Sequence, residues 1–318
     1  RFLLCGRYRN HGDSRTGTAA GTRGLEFAIF EATSPEGPFN KIRSFTKQDL
    51  SRADAPVVSI EGGKLFAGPD GIEMIVSTEK GTNYPDGLES FQKPGTGVWS
   101  IDRISAADVA GLDPATLTEA QSSSEGSTLH VKDPVVFEAP AGGTAMLFCS
   151  HPFSWSSSNT GLAVRAAGGG SFELQTHCMI RRGAAWDVAC TRVTDRLQVP
   201  RVGRFASLLP LSLYFYDGAE CLRAFDENPA AVRRPRGFSC EELGGLAWGW
   251  DANFPGIQRL SVDFPLFVSP HGTGCSRYVS TLATGGGIMA SWQQSQPDRS
   301  QPLVGNFVRS ETVAGLLG

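Results

Sequence analysis

Four aspartates stand at or just before short apolar runs that are typical of β-strands. Two carboxyl groups that reach one sugar can break a glycosidic bond, because one protonates the leaving oxygen while the other activates water or attacks the anomeric carbon. Aspartates in such positions also cap turns, which is the competing interpretation. The four are Asp54 before Ala-Pro-Val-Val, Asp133 in Asp-Pro-Val-Val-Phe, Asp187 in Trp-Asp-Val-Ala, and Asp263 in Asp-Phe-Pro-Leu.

Cationic and acidic side chains are concentrated between Arg7 and Arg15. Arg9, His11 and Asp13 lie in this segment, between a predicted strand and a Gly- and Thr-rich loop. Guanidinium groups form paired hydrogen bonds with carboxylates, so the segment suits a carboxylated or heavily hydroxylated sugar. A polar surface loop would have the same composition.

Two further segments combine histidine with groups that suit sugar binding. His151 begins a run to Asn159 in which Trp155 can stack on a sugar face while serine and asparagine side chains bind hydroxyls. His271 lies between Pro270 and Gly272. Packed loop aromatics and a turn histidine are the competing interpretations.

Bulk composition excludes several classes of function. The chain has 318 residues, 40% hydrophobic and 19% charged, and its net charge of -3 is spread without long runs, so we expect no nucleic-acid partner. No apolar stretch approaches the roughly 20 residues that span a bilayer, so we expect no membrane partner. Seven cysteines without a CxxC pair or metal-type cluster predict buried free thiols, with one or two disulfides as the alternative. Serine-hydrolase, zincin and dinucleotide fingerprints do not occur, and localisation stays open between cytoplasmic and extracytoplasmic.

A repeat in the chain predicts the fold. Similar strand-like runs begin at residues 2, 72, 144, 211 and 277, at intervals of 70, 72, 67 and 66. One four-stranded antiparallel sheet fills such an interval, so the sequence predicts an all-β, five-bladed β-propeller with four-stranded blades around a central channel. A sandwich or two separate β domains would not require equal spacing.

Within each repeat, we interpret these recurring runs as second strands. The third repeat predicts strands at 133–137, 145–148, 161–165 and 172–174, and the fifth at 263–269, 277–282, 287–292 and 303–308. Because Phe2 to Arg9 matches a second strand, the first blade lacks its opening strand unless residues near the C-terminus supply it. Residues 1–318 are predicted to form a single propeller domain.

The third repeat also resembles a known group of enzymes. Asp133-Pro134-Val135-Val136-Phe137, the following glycine turn with Met146-Leu147-Phe148-Cys149-Ser150, and Gly161-Leu162-Ala163-Val164 are similar to the third-blade segment of five-bladed glycosidases, the family 43 and 32 type glycoside hydrolases and their relatives. Asp54-Ala55-Pro56-Val57-Val58 is similar to their second-blade opening, with Asp54 where they have Trp.

The resemblance implies roles for three carboxyl groups. Asp133 matches the aspartate that modulates the pKa of the acid, and Asp187 lies where the general acid, a Glu in the family, is expected. The base belongs on a blade-one opening strand, for which Asp13 is the nearest substitute. The resemblance implies no required cofactor, with room for a structural cation near the axis, where a His such as His271 would hold a cation or water.

Three functions fit these residues. The leading one is a glycoside hydrolase acting on an oligosaccharide or polysaccharide. A polysaccharide lyase would use Arg7, Arg9 or Arg15 to neutralise a uronate, with His11 or His151 and Tyr8 to move the proton. A non-catalytic sugar-binding propeller would bind the glycan without consuming it.

Overall fold

Short strands joined by turns make up most of this computed structural model, which describes residues 1–8, 25–68, 71–152, 157–220, 242–298 and 300–318. Five antiparallel sheets follow one another along the chain as the blades of a five-bladed β-propeller, which confirms the predicted fold class. Three of the sheets have four strands, whereas the first and the last have three within the described residues.

The strands have the following bounds. The first sheet contains β1 (Phe2–Tyr8), β2 (Glu26–Ala32) and β3 (Asn40–Thr46); the second contains β4 (Val57–Gly68), β5 (Gly71–Lys80), β6 (Val98–Ala106) and β7 (Thr118–Gln121). The third contains β8 (His130–Glu138), β9 (Thr144–His151), β10 (Asn159–Arg165) and β11 (Glu173–Ile180). The fourth contains β12 (Cys190–Gln198), β13 (Leu211–Ala219), β14 (Leu243–Trp250) and β15 (Gln258–Arg259); the fifth contains β16 (Ser276–Thr284), β17 (Gly287–Gln294) and β18 (Leu303–Arg309), before helix α1 (Ser310–Leu317).

The chain divides into two compact units. Unit 1 comprises Arg1–Trp155 and Gly161–Cys178, and unit 2 comprises Ser156–Thr160 and Met179–Gly318. The single-domain interpretation of residues 1–318 stays a prediction.

The core of unit 1 lies on both faces of β5. Successive side chains of a strand point to opposite faces. Met74 therefore packs in one apolar cluster with Phe27 of β2, while Ile75 packs in another with Phe148 of β9, and all four are at most 1% exposed. Burial on both faces explains why three consecutive residues of this strand, Met74, Ile75 and Val76, are apolar.

Strand order confirms three of the five predicted second strands and corrects one. The runs that begin at 72, 144 and 211 are β5, β9 and β13, each second in its sheet, and the four strands predicted for the third repeat are β8 to β11. The prediction that the run at 277 is a second strand is wrong, because this run is β16, which opens its sheet and contacts β12. The predicted strand at 263–269 does not form beyond an isolated bridge at Phe267, since Pro265 and Pro270 lack backbone donors.

The first strand differs from the other sheet-opening strands in direction. Cys5 lies beside Gly63 and Arg7 beside Glu61, so β1 runs opposite to β4. Lys132 contacts Glu61, and Asp133 lies against Gly62, so β8 runs parallel to β4. A missing opening strand in blade one stays a prediction. The suggestion that C-terminal residues supply it is wrong for residues 310–317, because they form α1.

Candidate active site

Asp133 has a backbone conformation that few residues with a side chain adopt. Its φ is 54°, in the left-handed region, and it lies in a bulge where the β8–β9 register shifts between Lys132 and Val135. Such a conformation costs on the order of 1–3 kcal/mol and is concentrated at functional sites. The Asp133 N–H donates to Ser77 Oγ at 2.7 Å, which stabilises the bulge from β5.

The carboxylate of Asp133 is buried beside Cys149, Lys132 and Gly62. The side chain is 7% exposed, Oδ2 lies 3.8 Å from the Cys149 thiol and 4.0 Å from Lys132 Nζ, and the other oxygen lies against the backbone of Gly62. The bulge in β8 therefore turns the Asp133 carboxylate out of the regular pleat of the strand and places it beside the charged amine of Lys132.

Glu61 joins this group although the sequence did not single it out. Lys132 Nζ lies 2.7 Å from Glu61 Oε2, and Arg7 Nη1 lies 3.3 Å from Glu61 Oε1. The sequence Glu61-Gly62-Gly63 could have indicated this part of the site, because glycines inside a strand pattern indicate a bulge or a close approach of another chain segment.

His151 belongs to a buried cluster with two residues that the sequence did not single out. It ends β9, is 2% exposed, and its ring centroid lies 6.3 Å from that of His130. His130 Nδ1 accepts from the Trp99 N–H at 3.1 Å, so its proton is on Nε2, which lies 2.7 Å from the hydroxyl of Tyr84. Burial, with the nearby charge of Lys132, lowers the pKa of His130 to about 3, and burial with Glu79 raises the pKa of Tyr84 to about 12.

Asp187 lies in unit 2, three residues before β12, and so does not open the strand as expected. Its side chain is fully buried, and Oδ2 accepts from Arg259 Nε at 3.2 Å. Arg259 also donates to the carbonyl of Arg181 and, at 3.2 Å, to Thr191 Oγ1. Burial raises the pKa of Asp187 although Arg259 acts in the opposite direction.

A second buried ionic network surrounds Tyr278, which like Asp133 has a positive φ, here 55°, in a bulged opening strand. Its N–H donates to both carboxylate oxygens of Asp217 at 3.1 Å, and its ring lies 4.2 Å from the Arg192 guanidinium. Arg192 binds Asp217 at 2.8 Å and Glu242 at 2.6 Å. Burial is the main cause that raises the pKa of Asp217 to about 6.

Three of the predicted substrate-binding residues are exposed in turns. Asp54 lies in the turn between Arg52 and Ala55, so the expectation that it opens β4 is wrong. Asp263 and His271 lie in the irregular segment before β16, whose prolines and glycines prevent strand pairing, so Asp263 does not open a strand either.

Four predicted site residues lie outside the described residues. They are Arg9, His11, Asp13 and Trp155.

Within the described part of the chain, no three His, Cys, Asp or Glu side chains are grouped so that they could hold a metal ion, and no helix is long and apolar enough to cross a bilayer. The structural cation stays a prediction. Cys149, Cys190 and Cys275 are buried, Cys5 and Cys178 are partly buried, and none of these five forms a disulfide, so the predicted burial is complete for three of them.

A cavity of about 490 Å³ lies in unit 2, and its lining includes none of the predicted site residues that the structure describes. The ends of β12 and β16 and the start of α1 enclose it, with Arg196, Thr281 and Ser310 among the polar residues that line it.

Comparison with solved structures identifies proteins that share the fold. No protein-family model matches the sequence, and no curated protein matches it significantly. An α-L-arabinofuranosidase from Lactobacillus brevis has 12% identity over 89% of this chain and 86% of its own, with a TM-score of 0.52. An exo-1,5-α-L-arabinanase from a bovine ruminal metagenomic library has 9% identity over 89% of each chain, with a TM-score of 0.55. A β-1,2-mannobiose phosphorylase from Listeria innocua has 12% identity over 92% of this chain and 69% of its own, with a TM-score of 0.51. The chain therefore has the five-bladed propeller fold found in these carbohydrate-active enzymes.

Proposed function

We propose that this protein is a glycoside hydrolase that cleaves an oligosaccharide or polysaccharide, with Asp133 among its working carboxyl groups. The observation that carries the proposal is the positive φ of Asp133 in a bulged opening strand, with its buried carboxylate beside Lys132. A strained bulge that aims one carboxylate is hard to explain as turn capping, because Asp133 lies within β8 and not before it.

Asp187 is the second proposed catalytic carboxyl, in the role of general acid. A general acid must be protonated when substrate binds, and burial raises the pKa of Asp187 in the direction that favours protonation. Its side chain is one methylene shorter than the Glu found at this place in the similar glycosidases.

Structural neighbours suggest which glycans to test first. Solved structures that share the fold include an α-L-arabinofuranosidase, an exo-1,5-α-L-arabinanase and an endo-1,4-β-xylanase. We therefore propose arabinose- and xylose-containing glycans as the first candidates. Hydrolysis by carboxyl groups needs no cofactor, so we propose that the chemical step requires none.

The experiment is an incubation of the purified protein with plant and microbial glycans, read by product chromatography and absorbance. Saturated, shortened sugars support the proposal. An unsaturated product that absorbs in the ultraviolet would instead indicate the lyase, and tight glycan binding without any product would indicate the sugar-binding propeller. Either of these results contradicts a hydrolase.

A further inference from the structure

Two neighbouring opening strands, β4 and β8, are interrupted at the same level. The β4–β5 register shifts between Ile60 and Gly63, and the β8–β9 register shifts between Lys132 and Val135. Each interruption contains one carboxylate, Glu61 in β4 and Asp133 in β8. Bulges redirect side chains and are frequent next to active sites, so two facing bulges that each carry a carboxylate form an unusual pair.

Lys132 links the two carboxylates. Its Nζ lies 2.7 Å from Glu61 Oε2 and 4.0 Å from Asp133 Oδ2, and 5.3 Å from the centre of the Trp99 ring. Both acids are therefore placed around one ammonium group whose position is itself supported by an aromatic ring.

The two carboxylates differ in access to solvent. The Glu61 side chain is 19% exposed, whereas the Asp133 side chain is 7% exposed. A group that takes a proton from water must reach water, and Glu61 meets this requirement better. Lys132 contacts Oε2 of Glu61, and Arg7 contacts Oε1, so each carboxylate oxygen has its own cationic partner.

We infer that Glu61 is a further catalytic residue, the general base of the glycoside hydrolysis proposed above, on which this inference rests. Glu61 accepts a proton from the attacking water as the water oxygen bonds to the anomeric carbon. The glycosidic C–O bond breaks, and the leaving oxygen takes a proton from the general acid, so protons and electron pairs balance. Glu61 thus takes the role of general base, for which Asp13 was the nearest substitute in the sequence analysis.

The chain offers a matched control for a merely structural ion pair. Glu26 of β2 accepts from Lys41 Nζ at 2.7 Å and its side chain is 16% exposed, against 2.7 Å and 19% for Glu61 with Lys132, although Lys41 is the more exposed of the two lysines. Loss of the more exposed pair of Glu26 and Lys41 costs about 1 kcal/mol or less. Only loss of a base should reduce turnover.

The test compares Glu61→Gln, Glu61→Ala, Asp13→Asn and Glu26→Gln on a glycan that the wild-type protein cleaves. We expect Glu61→Gln to lower kcat by roughly 10² or more with little change in KM and to remove the acidic limb of the pH profile. Formate or azide should restore part of the activity of Glu61→Ala, and Glu26→Gln should stay within about twofold of wild type. If Glu61→Ala does not fold, the pH profile of Glu61→Gln decides.

Each contrary result has a distinct meaning. Near-normal kcat in Glu61→Gln, a change in KM alone, or loss of activity in Asp13→Asn with none in Glu61→Gln overturns the assignment of Glu61 and leaves the hydrolase proposal intact. A wild-type protein that cleaves none of the glycans overturns the hydrolase proposal, and the assignment of Glu61 with it.

Discussion

The backbone of Gly62 lies directly against the carboxylate of Asp133: a Cβ at position 62 would stand 2.6 Å from Asp133 Oδ1. Real Cβ atoms essentially never come so close to another heavy atom, and Gly62 does not have a positive φ. A Cβ at this position would therefore force the Asp133 carboxylate to move.

Substitution of Gly62 by alanine should displace the Asp133 carboxylate. We expect Gly62→Ala to reduce kcat/KM by roughly tenfold or more, because small misplacements of a catalytic group are costly. Gly6→Ala is the control, since a Cβ at Gly6 meets no atom within 4 Å. Steady-state kinetics of both variants, with circular dichroism to verify folding, make the comparison, and equal activity of the two would show that the position of this carboxylate is unimportant.

Asp187→Asn should abolish turnover while the protein stays folded. The amide keeps the size of the side chain but cannot donate the exchangeable proton, so we expect kcat to fall by roughly 10² or more while glycan binding survives. Initial rates and isothermal titration with the same glycan measure the two effects. Retention of most of the wild-type rate would remove Asp187 from the catalytic groups and leave it a structural partner of Arg259.

The ion pair of Asp187 and Arg259 should be asymmetric in its effect on stability. The Asp187 side chain is fully buried, whereas the Arg259 side chain is 23% exposed. Arg259→Met leaves a buried carboxylate without its cation and should lower the free energy of unfolding by about 3 kcal/mol, more than Asp187→Asn does. Urea denaturation at pH 7 measures this, with Lys41→Met, at the more exposed pair with Glu26, expected to cost under about 1 kcal/mol. Equal losses in Arg259→Met and Lys41→Met would contradict the prediction.

His130 should make the protein less stable in acid. Its pKa falls from the usual 6.5 to about 3 on folding, so between these values the unfolded chain binds more protons than the native one. This contribution to stability is present above pH 6.5 and is lost as the pH falls toward 3. The free energy of unfolding that His130 contributes therefore falls by about 3 kcal/mol between pH 7 and pH 4.

The measurement compares urea denaturation of the wild-type protein and His130→Asn at both pH values. We expect His130→Asn to be less stable at pH 7, because it disrupts the contacts with Trp99 and Tyr84, and to lose less stability on acidification. An identical loss in both proteins would show that His130 is not the group that titrates.

The fold could be predicted from the sequence because its signal is a repeat. β5, β9 and β13 are buried strands with similar apolar patterns at similar spacing, and each is the second strand of a sheet. The run at 277 has the same composition but opens its sheet as β16, since the preceding residues contain prolines that cannot pair. Composition alone does not distinguish a first from a second strand.

The candidate site could be predicted only in part. Asp133 stood out because of its place in Asp-Pro-Val-Val-Phe, but its positive φ and its contacts with Ser77 of β5 and Gly62 of β4 have no signal in that motif. Glu61 and Lys132 meet from residues 71 positions apart, and Tyr84 and His130 from residues 46 apart. Such pairs are brought together by adjacent sheets, and a single sequence carries no local pattern for them.

On a glycan that the wild-type protein cleaves, we expect Asp133→Asn to be a folded variant with unchanged thermal unfolding, near-normal glycan binding, and a kcat lower by roughly 10² or more. A folded Asp133→Asn protein that cleaves the same glycan at close to the wild-type rate would contradict the proposal that Asp133 is a working carboxyl group.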